Sequence, residues 1–102
     1  MSRYRLSPLA KADLDDIWFY VAGQARIESA DRLIDAITAR FAFVARNPRV
    51  GTDRSDLEPG ARSIPVRDYL IYFRRSPRGG ILISRVIHGM RDQNSAWADD
   101  DQ

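Results

Sequence analysis

The chain has 102 residues, of which 44% are apolar and 29% charged, with no cysteine. This is ordinary composition for a globular protein, and it excludes disulfide frameworks and thiolate metal clusters. A chain this short buries roughly 65% of its unfolded surface, which provides one modest core and no deep two-domain cleft.

Arg3-Tyr4-Arg5-Leu6 alternates with period two, the pattern of a short half-buried strand. Ser7-Pro8 then supplies an N-cap and a residue preset for the first helical position, so a helix is expected from Pro8. Its apolar stripe is Ala10, Leu14, Ile17 and Val21, joined by Trp18 as packing between helices and sheet, with Asp13, Asp15 and Asp16 mostly off the stripe. A second amphipathic helix follows Gly23, with Ala30, Leu33, Ile34, Ile37, Phe41 and Val44 on one side. It stops at Asn47-Pro48, because proline disfavours the helical region for the residue before it. Residues 48–60 read as a loop.

Beyond the loop the period changes. Residues 62–66, 69–74 and 81–88 are rich in β-branched and aromatic side chains, and they are separated by Arg67-Asp68 and Ser76-Pro77-Arg78-Gly79-Gly80. They predict a three-stranded antiparallel meander, with Pro65 placing the first strand at an edge or a bulge. The fold expected is α+β: a strand, a helical hairpin, then three strands (β-α-α-β-β-β), with the helices packed on one sheet. One domain is expected over 1–92, followed by an acidic tail, 93–102, whose only large apolar group is Trp97.

The formal charge of +2 conceals a segregation. Residues 1–60 carry nine bases and nine acids, residues 61–91 carry seven arginines against Asp68 alone, and residues 92–102 carry four aspartates and no base. Arginine forks suit phosphate and carboxylate, so Arg62, Arg67, Arg74, Arg75, Arg78, Arg85 and Arg91 point to recognition of an acidic partner by the sheet. Arg85, in phase with Ile81, Ile83 and Ile87, is either open to that partner or paired to an aspartate of the first helix. His88, in phase with Leu82 and Val86, is either a general base or a strand-end group hydrogen-bonded to a backbone carbonyl. Asp13, Asp15 and Asp16 are better explained as a solvated helix face than as a cation site, and neither metal nor cofactor is expected. No signal peptide or membrane-length apolar run is present, so the expectation is a cytoplasmic protein with no membrane role.

Leu6-Ser7-Pro8, the run 12–18 from Ala12 to Trp18, Asn47-Pro48 with Gly51, Leu57-Glu58-Pro59-Gly60-Ala61-Arg62-Ser63, Tyr69-Leu70-Ile71-Tyr72-Phe73-Arg74, and the run 85–92 from Arg85 to Asp92 resemble, in order and spacing, the signatures of the RelE/ParE superfamily. These are the toxins of type II toxin–antitoxin pairs, of the plasmid-stabilisation type. The likeness is greater to the ParE branch. That resemblance implies a toxin that blocks DNA gyrase by binding, with no covalent chemistry of its own, and that is held by a cognate antitoxin. Target or antitoxin contacts then fall to Arg62, Arg67, Arg74, Arg75, Arg85 and Arg91. The RelE branch implies instead a ribosome-dependent endoribonuclease cutting messenger RNA, with Arg62, Arg85, His88 and Arg91 at the reacting phosphate. Its strand-end tyrosine is missing, since Gly89 follows His88. A non-toxic binding module of the same fold is the third reading. A homodimer, or a heterotetramer with antitoxin, is compatible with each.

Overall fold

A computed structural model describes residues 3–90. Its elements are β1 (Tyr4–Leu6), α1 (Pro8–Gln24), α2 (Ile27–Arg46), β2 (Thr52–Asp53), β3 (Arg62–Val66), β4 (Tyr69–Arg75) and β5 (Ile81–His88). Ser7 caps α1: its Oγ accepts the Ala10 N–H at 3.0 Å, and Pro8 has no N–H to leave unsatisfied. The reversal between the helices falls at Ala25-Arg26, just past Gly23. Asn47 closes α2 by donating its backbone N–H to the Phe43 and Val44 carbonyls and its side-chain Nδ2 to Phe43. The acidic tail and Arg91 lie outside the described residues.

The expected meander is β3-β4-β5, but the sheet is wider, with order β1-β5-β4-β3-β2. β1 runs parallel to β5, with Tyr4 opposite Ile81 and Leu6 opposite Ile83, and the other pairings are antiparallel. β2 lies within the stretch expected to be loop. It forms because Gly51, at φ +86°, lets the chain pass against the Ser63 carbonyl, where a Cβ would collide with backbone. β2 covers only Arg62 and Ser63 of β3, so Pro65 sits on an open edge and costs no ladder bond on that side.

The main core lies between sheet and helices. Ala10 and Ile17 of α1, with Leu33, Ile37, Phe41 and Val44 of α2, pack on Ile64, Val66, Ile71, Phe73, Ile81, Ile83 and Val86. Trp18 is only half-buried and joins helix to helix instead of filling this core: its Nε1 donates to Asp31 Oδ1 at 2.8 Å. A second, smaller cluster occupies the other side of the sheet, where Leu57 packs with Tyr72, Ile87 and Leu70. The segment carrying Leu57 is fixed there by Glu58, whose Oε1 lies 2.6 Å from Arg74 Nε, and by Arg54, whose guanidinium sits 5.9 Å from the Tyr72 ring centroid. Residues 54–61 are thus a cover for the back of the sheet.

A β-bulge decides the faces of β5. Tyr72 pairs with Arg85 and Phe73 with Ile83, so Ser84 is an extra residue on β5. Beyond it the alternation reverses. Val86, not Arg85, continues the core face begun by Ile81 and Ile83, and Ile87 joins Tyr72 at the back. The face expected to group Arg85 with Ile81, Ile83 and Ile87, and that grouping His88 with Leu82, therefore do not exist as drawn from a strict period of two.

The bulge also exposes a strand edge. β1 ends at Leu6, opposite Ile83, and α1 supplies the partners that β1 no longer gives. The Ser7 hydroxyl donates to the Ser84 carbonyl at 2.7 Å. Asp13 Oδ2 accepts the Val86 N–H at 2.9 Å, and the Arg85 fork closes on the same carboxylate, Nε to Oδ2 at 2.9 Å and Nη2 to Oδ1 at 3.0 Å. Asp13, expected on a solvated face, is thus buried with Arg85, their side chains 11% and 6% exposed. Removing one member of such a pair strands the other. Asp13→Ala is expected to lower unfolding free energy by about 3–5 kcal/mol, and Asp13→Leu with Arg85→Met to recover part of that loss, measured by denaturant unfolding. A loss under about 1 kcal/mol for Asp13→Ala, the size of an exposed pair, would show that this junction does not hold the helix to the sheet.

Candidate functional site

A groove of about 750 Å³ lies where α1, the start of α2, the start of β4 and the end of β5 meet. Ile17, Val21, Leu33 and Val86 supply its apolar surface, Tyr20 and Tyr69 its aromatic walls, and Asp16, Arg67, Asp68 and His88 its charged or polar rim. The apolar lining follows from the helical stripes, because Val21 and Leu33 face the sheet where the helices diverge from it. Tyr20 is 65% exposed on that wall, while Phe19, 71% exposed, lies outside the lining, and Ile27 and Met90 are also exposed. The sequence reading passed over these aromatics, although their helical phase, off the Ala10–Leu14–Ile17–Val21 stripe, already set them toward solvent.

Arg67 stands at the groove rim in the two-residue turn between Val66 and Tyr69, with φ +53°. A left-handed backbone is unusual for a long side chain and costs roughly 1 kcal/mol, so the turn holds this guanidinium at the rim against local preference. His88 is exposed at the end of β5. Its ring meets Tyr69 edge-on at 5.1 Å, and Nδ1 accepts the Met90 N–H at 3.1 Å, a strand-end backbone bond from an amide where the sequence suggested one to a carbonyl.

The remaining arginines of the basic segment are dispersed. Arg62 donates to the Val50 and Gly51 carbonyls at 3.0 and 2.9 Å and so pins the turn into β2. Arg74 is paired with Glu58 and Arg85 with Asp13. Arg75 and Arg78 are exposed at the end of the sheet opposite the groove. Of the four residues considered for phosphate chemistry, Arg62 opens β3 while His88 ends β5. The register separates them by two strands and by about 13 Å along the strand direction. Arg85 is sequestered below the surface, and Arg91 lies outside the described residues. Both Asp13 oxygens are engaged by Arg85 and Val86, so Asp13 does not act with Asp15 and Asp16 as one cluster. No helix among the described residues is long and apolar enough to cross a membrane.

A helical hairpin laid on a mixed sheet, with an open groove beside it, defines a small α+β protein built for surface contact. Residues 4–93 match the family described as "ParE toxin of type II toxin-antitoxin system, parDE". Among curated proteins, Toxin ParE1 of Mycobacterium tuberculosis is 30% identical over 91 residues, covering 89% of this chain and 93% of that protein. Toxin ParE1 of Caulobacter vibrioides is 34% identical over 88 residues, covering 86% and 90%. A solved structure titled "Chromosomal ParDE TA system from P. aeruginosa" shares the fold at a TM-score of 0.74 and 22% identity, over 86% of this chain and 96% of that one. The chain belongs to the ParE toxin family of type II toxin–antitoxin systems.

Two tyrosines of β4, Tyr72 beneath the cover segment and Tyr69 in the groove wall, have phenols displaced from their usual titration. Burial raises Tyr72 above its ordinary value of 10.0, although Arg54 opposes the shift, and burial together with Asp68 raises Tyr69. A phenol that keeps its proton longer in the folded state supports folding below the unfolded value, near pH 10, and loses that contribution as pH rises through the folded value. Tyr72→Phe is therefore expected to flatten the alkaline fall in stability above pH 10, read from denaturant midpoints at increasing pH. Identical alkaline slopes for both proteins would remove Tyr72 from this role.

Proposed function

We propose that this chain is a toxin that arrests growth by binding DNA gyrase, and that a cognate antitoxin neutralises it by seating an amphipathic segment in the groove. The observation that carries the binding mode is the dispersal of Arg62, Arg85 and His88, since a phosphate-cleaving site needs its proton-moving and charge-stabilising groups around one reacting centre. What supports the antitoxin contact is the groove itself: about 750 Å³ in volume, with an apolar floor and the exposed Tyr20 on its wall, it matches the way an amphipathic helix lays apolar anchors into a hydrophobic groove. The neighbour titled as a ParDE system is consistent with such an assembly.

The charge of this contact differs from the sequence expectation. Acidic antitoxin groups were expected on the sheet's arginines, yet the groove rim offers Asp16 and Asp68 as well as Arg67. The apolar floor therefore contributes more of the affinity than the charges do, and added salt weakens the complex without dissolving it.

Purified toxin is expected to inhibit gyrase supercoiling and to leave ribosome-bound messenger intact. His88→Ala, at an exposed residue, should retain growth arrest; cleavage of messenger that depends on His88 would select the ribonuclease reading instead. Loss of arrest without cleavage would count against both. Tyr20→Asp is expected to weaken antitoxin binding by about tenfold or more, because it places a carboxylate in the path of the apolar anchors. The check is titration calorimetry with the antitoxin encoded beside the toxin. Unchanged affinity would move the docking site away from the groove.

A further inference from the structure

The sheet end opposite the groove has a different chemistry. In register, Arg75 of β4 lies opposite Ile81 of β5, and Ile81 lies opposite Tyr4 of β1, so the start of β1, the end of β4 and the hairpin between β4 and β5 form one row. Two recesses flank that row. One, of about 280 Å³, is lined by Pro48, Arg49, Pro59, Gly60, Arg62, Arg74 and Arg75. The other, of about 250 Å³, is lined by Arg3, Tyr4, Arg5, Arg78, Gly79 and Ile81. Among the described residues, no carboxylate lines either one.

Glu58 pairs with Arg74, and Asp53 stands opposite Arg62 in the ladder. By contrast Arg3, Arg5, Arg49, Arg75 and Arg78 are exposed and make no ion pair among the described residues. The hairpin glycine next to the second recess brings its two walls together. Gly80, at φ +74°, lets β1 run so close that a Cβ there would lie 2.7 Å from the Arg3 carbonyl, and the Ile81 N–H donates to that same carbonyl at 3.1 Å. Arg5 is held across the hairpin by its Nη2 bond to Ser76 Oγ, at 3.1 Å. Guanidinium forks are thereby gathered from β1, β4, the hairpin and the residues after α2 against their mutual repulsion, and among the described residues only Arg62 and Arg74 of this set have an acid beside them.

We infer that this arginine-lined end is a docking face for the sugar-phosphate backbone of duplex DNA, separate from the groove and open while the groove is filled. Phosphates at close regular spacing are the ligand that an uncompensated set of forks fits. The apolar anchors that a protein segment needs are at the other end of the molecule. The one ring in the recesses, Tyr4, is packed edge-on against Phe41 at 5.5 Å and is not a stacking platform, which disfavours single strands. Tyr4 aside, neither recess presents a hydroxyl or amide side chain to read a ribose 2′-hydroxyl, which disfavours duplex RNA. The face goes beyond the gyrase reading and stands whether or not gyrase is the target.

The test uses the full chain and a labelled mixed-sequence DNA duplex, followed by anisotropy between about 50 and 200 mM salt. Wild type is expected to bind with a dissociation constant on the order of 10⁻⁴–10⁻⁶ M, falling away steeply with salt. Arg49→Ala/Arg75→Ala/Arg78→Ala should weaken binding by about tenfold or more and reduce the logarithmic salt slope by about 3, as three lost phosphate contacts require. Lys11→Ala/Arg26→Ala/Arg32→Ala removes the same charge from exposed positions on α1, α2 and the turn between them and should leave affinity within about twofold and the slope unchanged. Circular dichroism confirms that both variants fold. Equal losses in the two triple variants, no binding by wild type at the lowest salt, tighter binding of duplex RNA, or weakening without a change of slope would each overturn the assignment. Failure of gyrase inhibition with this pattern intact would overturn only the target.

Discussion

The carboxylate of Asp13 is the point on which the rest of the structure depends. It receives three N–H donors, two from the Arg85 fork and one from the Val86 backbone, at 2.9–3.0 Å. Those donors all come from β5, the strand between β1 and β4, whose outer edge loses its β1 partner after Ile83. A buried strand edge with unpaired N–H groups is costly, and a buried arginine without a counter-charge is costlier still. One aspartate on α1 resolves both, and so the helix is fixed in position and rotation against the sheet. The groove inherits its shape from this anchor: Ile17 and Val21 lie one and two turns beyond Asp13 on α1, so the angle at which Asp13 docks sets how far the helix stands from Tyr69 and His88.

The same junction explains why charge in the sequence and charge on the surface differ. Seven arginines in residues 61–91 suggest a cationic sheet, but the fold uses three of them internally: Arg85 for the helix junction, Arg74 to hold the cover segment through Glu58, and Arg62 to pin the turn into β2. Arg67 is carried to the groove rim, while Arg75 and Arg78 join Arg3, Arg5 and Arg49 at the other end. Three contributors to that basic end, Arg3, Arg5 and Arg49, come from a part of the chain whose net charge is zero, so no linear window of composition reveals it. The outcome is a molecule with an apolar groove at one end and an arginine face at the other, which suits contact with more than one macromolecule at a time.

Local signals sufficed wherever one residue's own backbone preference made the decision. Ser7-Pro8 started a helix, Asn47-Pro48 ended one, and the β-branched runs after residue 61 became β3, β4 and β5 close to the expected bounds. The helical stripes also named the core correctly, because burial of an amphipathic helix follows its period whatever the partner surface is. Trp18 and Asp13 were misplaced for a shared reason: helical phase gives a direction, and only the neighbouring element decides whether that direction is solvent, another helix or a strand edge.

By itself, then, the amino-acid order determined the α+β class, the element sequence, the apolar faces of both helices and, through motif resemblance, the toxin family. Only tertiary structure decided the pairing of β1 with β5, the strand β2, the bulge at Ser84, and which arginines are spent inside. The physical reason is that these depend on contacts between residues far apart in the chain. A bulge without glycine leaves no local mark, yet one extra residue reverses every side chain that follows it. An arginine is the same fork in any sequence, and whether it meets a carboxylate, a carbonyl or water is settled by what the fold brings within about 3 Å of it.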